Sequence, residues 1–139
     1  IDIMVSDAKN NKMSAKILLH LIEYLISELY EKIMNTKKNV EEFKNNIQTL
    51  HDIEKIYKQI YDQGFTPKLE KKLKKYELSP GYDMSTNANL LTLKQKALEK
   101  EEEELKLLYE EEKKLQEQYD ELYFLAKKEN WYPNEPFYK

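Results

Sequence analysis

The first 63 residues contain neither glycine nor proline, the two residues that most readily interrupt a helix. Through them runs a stripe that recurs about every 3.5 positions: Ala15, Leu19, Ile22, Ile26, Leu29, Ile33, Thr36, Val40, Phe43, Ile47, Leu50, Glu54, Tyr57 and Tyr61. This spacing keeps one set of side chains along one side of a helix, as in a coiled coil, and does not fit the two-residue alternation of a strand. An all-α fold is predicted. With 139 residues there is room for one helical domain over 1–139, with an N-terminal extension at 1–12 and an aromatic C-terminal tail at 131–139.

Whether residues 13–63 make one helix or two depends on the stretch Asn35-Thr36-Lys37-Lys38-Asn39. It is polar, and Asn39 followed by Val40, Glu41 and Glu42 reads as an N-cap with a capping-box glutamate. The apolar face upstream is wide, taking in Leu18, Leu21, Leu25 and Tyr30 beside the stripe. A helix that apolar must bury more than one side. We therefore expect a turn near 35–39, giving an elongated bundle of helices near 13–35, 39–63, 67–78 and 88–130. The alternative is an antiparallel coiled-coil hairpin in which 13–63 is one rod of ~75 Å, dimerising through the extra stripe on its first third.

Gly64 is a natural residue just past a helix end, and Thr66-Pro67 supplies an N-cap and a first helical residue. Ser79-Pro80-Gly81 stops the short helix, and the link to about Asn87 reads as a loop. The last helix carries a seam of Leu91, Leu98, Leu105, Leu108, Leu115, Tyr119, Leu122 and Ala126, interrupted by Lys94, Glu101 and Glu112. Residues 37–78 hold ten Lys against seven Asp and Glu, whereas 88–130 hold eight against twelve. Opposite signs favour side-by-side packing of the two segments, at ~0.2–1 kcal/mol per exposed pair.

Several functions are disfavoured. All 23 basic residues are lysine and the net charge is −3, so nucleic-acid recognition lacks the bidentate fork of arginine. No apolar run approaches the ~18 residues of a membrane span. There is no cysteine, hence no disulfide or thiolate chemistry. Phosphate loops, nucleophile elbows and zinc spacings are missing, so we expect no enzyme, no cofactor and no metal site. His20-x-x-Glu23 and His51-x-x-Glu54 reverse the Glu-x-x-His order of di-metal bundles and read as surface pairs. The glutamates at 101–104 and 110–112 read as a solvated face and not as an acid–base pair. The chain begins on Ile1, which points to a fragment or a processed form.

Two segments are candidate contact sites. In the short helix, Lys68, Lys71, Lys72, Lys74 and Lys75 surround Leu69, Leu73 and Tyr76. They can lie against anionic headgroups or an acidic protein, or the apolar stripe can pack on the bundle with the lysines toward the acidic last helix. In the tail, Trp131, Tyr132, Phe137 and Tyr138 either cap the bundle or form an extended docking peptide held open by two prolines. The leading expectation is a non-enzymatic scaffold module presenting helix faces to protein partners or to a second copy. The other is a membrane-interacting bundle.

The absence of arginine with abundant Lys, Asn, Ile and Tyr resembles malaria-parasite chains. Among those, a small helical bundle with a polar-flecked core resembles the sporozoite cell-traversal proteins. That resemblance rests on composition and layout over the whole chain. It implies a secreted bundle that opens against a host membrane, with a cytoplasmic location as the alternative. It carries over no functional residue.

Overall fold

The computed structural model describes residues 12–128. Among them are three helices and no strand: α1, Lys12–Gln63; α2, Pro67–Lys74; and α3, Met84–Lys128. The two long helices pack together, and the all-α bundle is the fold class read from the periodicity.

Of the two arrangements, the continuous helix is the one found. The turn expected at 35–39 is absent, and α1 runs through it without a break. The reason lies in Thr36 and Val40. Both are buried, on the same stripe as Ile33, so helical spacing hides all three. An asparagine in a helix interior costs at most ~0.7 kcal/mol relative to alanine. Burying an aliphatic side chain such as Val40 contributes ~1.5–3 kcal/mol. Burial wins.

Contacts divide the chain into two compact units, one drawing on Ile1–Asn35 and Leu105–Lys139, the other on Thr36–Glu104. In the first, Ala15, Leu18, Leu19, Ile22 and Leu29 of α1 meet Leu115 and Leu122 of α3 in one apolar cluster. Ile22 and Leu122 are wholly excluded from water. Tyr119 stacks on Tyr123 with ring centroids 6.0 Å apart, and its hydroxyl donates to Glu23 Oε1 at 2.8 Å.

The second unit has the more polar interior. Its buried side chains are Thr36, Val40, Ile53, Ile56, Leu69, Asn87 and Leu91. Here α1 and α3 pair antiparallel: Lys94 Nζ sits 5.5 Å from the centroid of the Phe43 ring, and Asn87 reaches back to Leu50. Of the charged side chains expected to interrupt the α3 seam, Lys94 and Glu101 are half-buried in this unit, and Glu112 is half-buried in the first.

Three boundaries differ from expectation. After Leu50 the buried stripe of α1 slips by one residue, to Ile53 and Ile56, leaving Glu54 half-buried and Tyr61 86% exposed. Ile53 and Ile56 take the seam from Glu54 and Tyr57, because burying an aliphatic side chain gains more than burying a carboxylate or a phenol. Helix α2 ends at Lys74 and not near 78, with Glu77 at φ 49 closing the turn. Helix α3 begins at Met84 and not near Ala88, because Asp83 caps it. Its Oδ1 accepts from the Thr86 amide at 2.8 Å, and its carbonyl accepts from the Asn87 amide at 3.0 Å. The Thr86 amide, donating to the carboxylate, holds the Asp83 carboxyl below its ordinary pKa.

Candidate functional site

Helical spacing sorts the wide apolar face of α1 into three strips. Leu18 has joined the core, and Leu21 and Leu25 pack half-buried against it. Ile17 and Tyr24 remain 50% and 61% exposed. Ile17, Leu21 and Tyr24 fall at i, i+4 and i+7, one flank of the helix. Tyr30 and Met34, on the other side of the seam, are exposed as well. The continuous helix removes the intramolecular cover that a turn at 35–39 would have supplied.

The lysine-rich helix divides its faces cleanly. Leu69 is buried, and Leu73 and Tyr76 are half-buried, so the apolar stripe faces into its own unit. Thr66 caps the helix, its Oγ1 accepting from the Leu69 amide at 3.2 Å. Lys68, Lys71, Lys72, Lys74 and Lys75 are all exposed, and Lys74 pairs with Glu70 at 3.3 Å. Just before it, Phe65 is 62% exposed beside Gly64, whose φ of 85 lets the chain reverse. Reading the sequence missed Phe65 and put Tyr61 on the seam. The available signal was a phenylalanine between Gly64 and Thr66-Pro67, with no helix to give it a buried face.

A polar network sits where α3 starts. Asn87 is 1% exposed. Its Nδ2 donates to the Leu50 carbonyl at 3.0 Å, and its Oδ1 accepts from the Tyr82 hydroxyl at 2.5 Å. The Tyr57 hydroxyl donates to the Tyr82 carbonyl at 3.5 Å. Burial raises the Tyr57 phenol above its ordinary pKa, with Tyr82 and Asp83 adding to the effect, and burial raises Tyr82 too. Both therefore stay protonated as donors at neutral pH. The network ties the start of α3 to the Leu50 turn of α1 and so fixes their register. Asn87→Ala is expected to lower the unfolding free energy by about 1–3 kcal/mol, and Asn87→Asp by more, because a carboxylate would lie out of water. Urea denaturation checks both, and an unchanged midpoint for Asn87→Asp would deny the network that role.

The histidines pair within their own helix, His20 with Glu23 at 3.5 Å and His51 with Glu54 at 3.8 Å. Glu54 also meets Lys58 at 3.5 Å. Among the described residues, no three His, Cys, Asp or Glu side chains gather as a metal would require. Glu102, Glu103, Glu104, Glu110 and Glu111 are exposed. One surface depression of about 430 Å³ has Ile26, Tyr109, Glu112, Lys113, Gln116 and Glu117 around it, a largely charged and amide rim. The docking-tail candidates Trp131, Tyr132, Phe137 and Tyr138 lie outside the described residues. No described helix is long and apolar enough to cross a membrane. Comparison with protein-family models, curated proteins and solved structures found no match.

Proposed function

We propose that this chain is a non-enzymatic helical interaction module, and that it presents the Ile17–Leu21–Tyr24 flank of α1 to a protein partner or a second copy. The observation that carries the reading is the exposure of Ile17 and Tyr24 on a flank whose middle residue, Leu21, packs half-buried against the core. Leucine and isoleucine behind them hold the backbone rigid, so little ordering entropy remains to be lost on binding. The exposed part of the flank amounts to roughly a few hundred Å², judged from the ~150–250 Å² an aromatic residue buries. A standard interface buries about 1,200–2,000 Å². The flank is thus the apolar centre of a larger contact, with neighbouring charged residues forming its rim.

A photo-crosslinking amino acid placed at Tyr24 tests this in the source cell, with the same group at exposed Lys55 as the control. Position 24 is expected to give discrete adducts that position 55 does not, and Ile17→Lys should remove them. A homotypic adduct identifies a second copy as the partner. Equal smears from both positions, or no adduct at either, would reject this surface.

A further inference from the structure

The corner where α1 passes into α2 combines two features that seldom coincide on a solvated surface. The first is apolar: Tyr61 and Phe65, 86% and 62% exposed, stand either side of Gly64. A side chain built on Gly64 would meet nothing within 4 Å, so the turn opens onto free space. The second is electrostatic. Lys68, Lys72 and Lys75 recur at i, i+4 and i+7, and Lys75 still has helical φ and ψ, so the three share one flank of α2. The Glu70–Lys74 pair lies on the opposite flank and leaves the lysine stripe un-neutralised from within α2.

We propose that this corner docks on an anionic bilayer surface, with Phe65 and Tyr61 at the headgroup–acyl boundary and Lys68, Lys72 and Lys75 against the headgroups. Charge complementarity selects the occupant: a stripe of lysines attracts a negative leaflet, and each residue adds to the attraction. The aromatics favour a bilayer over an acidic protein. Phe65 projects from an open turn, and a fluid boundary accepts a protruding ring where a folded partner would need a matching pocket. Helix α2 itself stays folded on its unit. Leu69 is only 4% exposed, so its apolar stripe is already occupied and only the turn enters lipid. The contact is peripheral, in keeping with described helices that are too polar to cross. It does not depend on the Ile17–Leu21–Tyr24 flank, and either surface can fail without the other.

Co-sedimentation of the full chain with phosphatidylcholine vesicles, with and without about one-third phosphatidylserine, tests the idea. Binding is expected on the anionic vesicles, weakening as salt rises. Lys68→Gln, Lys72→Gln and Lys75→Gln should each lower the partition coefficient about fivefold. Phe65→Ser should lower it with the salt dependence retained. All four positions are exposed, and unchanged circular dichroism melts will show that folding is intact. Absence of wild-type binding, equal binding to neutral and anionic vesicles, or wild-type affinity in the triple lysine variant would each overturn the proposal. Tighter capture by immobilised poly-glutamate than by anionic vesicles would also overturn it, and would assign the corner to an acidic protein.

Discussion

Leu122→Ala lowers the free energy of unfolding by about 2–5 kcal/mol, the range for removing a buried leucine and leaving a cavity. Leu122 has no exposed surface and shares one apolar cluster with Ile22, Leu18, Leu19 and Leu115. The loss has two parts. Three carbon atoms no longer leave water on folding, and two helices braced by neighbouring leucines cannot close over the space. Small domains are stable by only ~5–15 kcal/mol, so this one change removes a substantial fraction. Phe124, two residues on and 70% exposed, is the matched control. Phe124→Ala should shift stability by no more than about 0.5 kcal/mol. Urea melts followed by far-ultraviolet circular dichroism compare the two. A Leu122→Ala midpoint as close to wild type as that of Phe124→Ala would mean the two helices do not meet there.

Lys38→Pro is the second large effect. Lys38 is exposed in the interior of α1, so the substitution acts on the backbone alone. Proline removes one helical hydrogen bond, and its ring strikes the carbonyl of Met34 one turn earlier, at about 3 kcal/mol or more. In a loop the same substitution would be neutral or mildly stabilising. Lys38→Ala is the companion variant, expected to be neutral within about 0.5 kcal/mol. Thermal melts of the pair therefore separate the continuous helix from a chain that turns at 35–39. A Lys38→Pro protein that melts with Lys38→Ala would restore the turn.

These variants probe the place where reading the residues and folding them parted. Asn35, Lys37, Lys38 and Asn39 form a polar run that looks like a break, yet all four are exposed on a continuous helix. The decisive residues were their neighbours. Thr36 and Val40 continue the stripe of Ile33, and their burial is settled by whether α3 lies opposite. The capping motif read at Asn39 was a local preference that packing overrode. In the opposite direction, the link from Ser79-Pro80-Gly81 to about Asn87 reads as a loop, yet the Asp83 cap starts the helix at Met84. Asn87 could not have been picked out as buried. Its two partners, Leu50 and Tyr82, come from distant parts of the chain and from the loop.

The contact surfaces were partly legible. The Lys68–Tyr76 segment announced its charge and its stripe, and both faces lie as helical spacing requires. The aromatic pair Tyr61 and Phe65 did not, because exposure of a large ring is a property of what fails to cover it.

The amino-acid order alone determined the helical class, the α3 seam and the presence of an apolar stripe on α2, because a repeat near three and a half residues is built into the backbone's own geometry. Tertiary structure decided the rest: that α1 continues through 35–39, that its stripe slips after Leu50, that an asparagine is enclosed, and that Ile17 and Tyr24 stay in water. The first two of those outcomes are competitions between a local preference of less than about 1 kcal/mol and burial of larger worth. Burial is supplied by residues far away in the chain, so only the folded molecule reveals which side prevails.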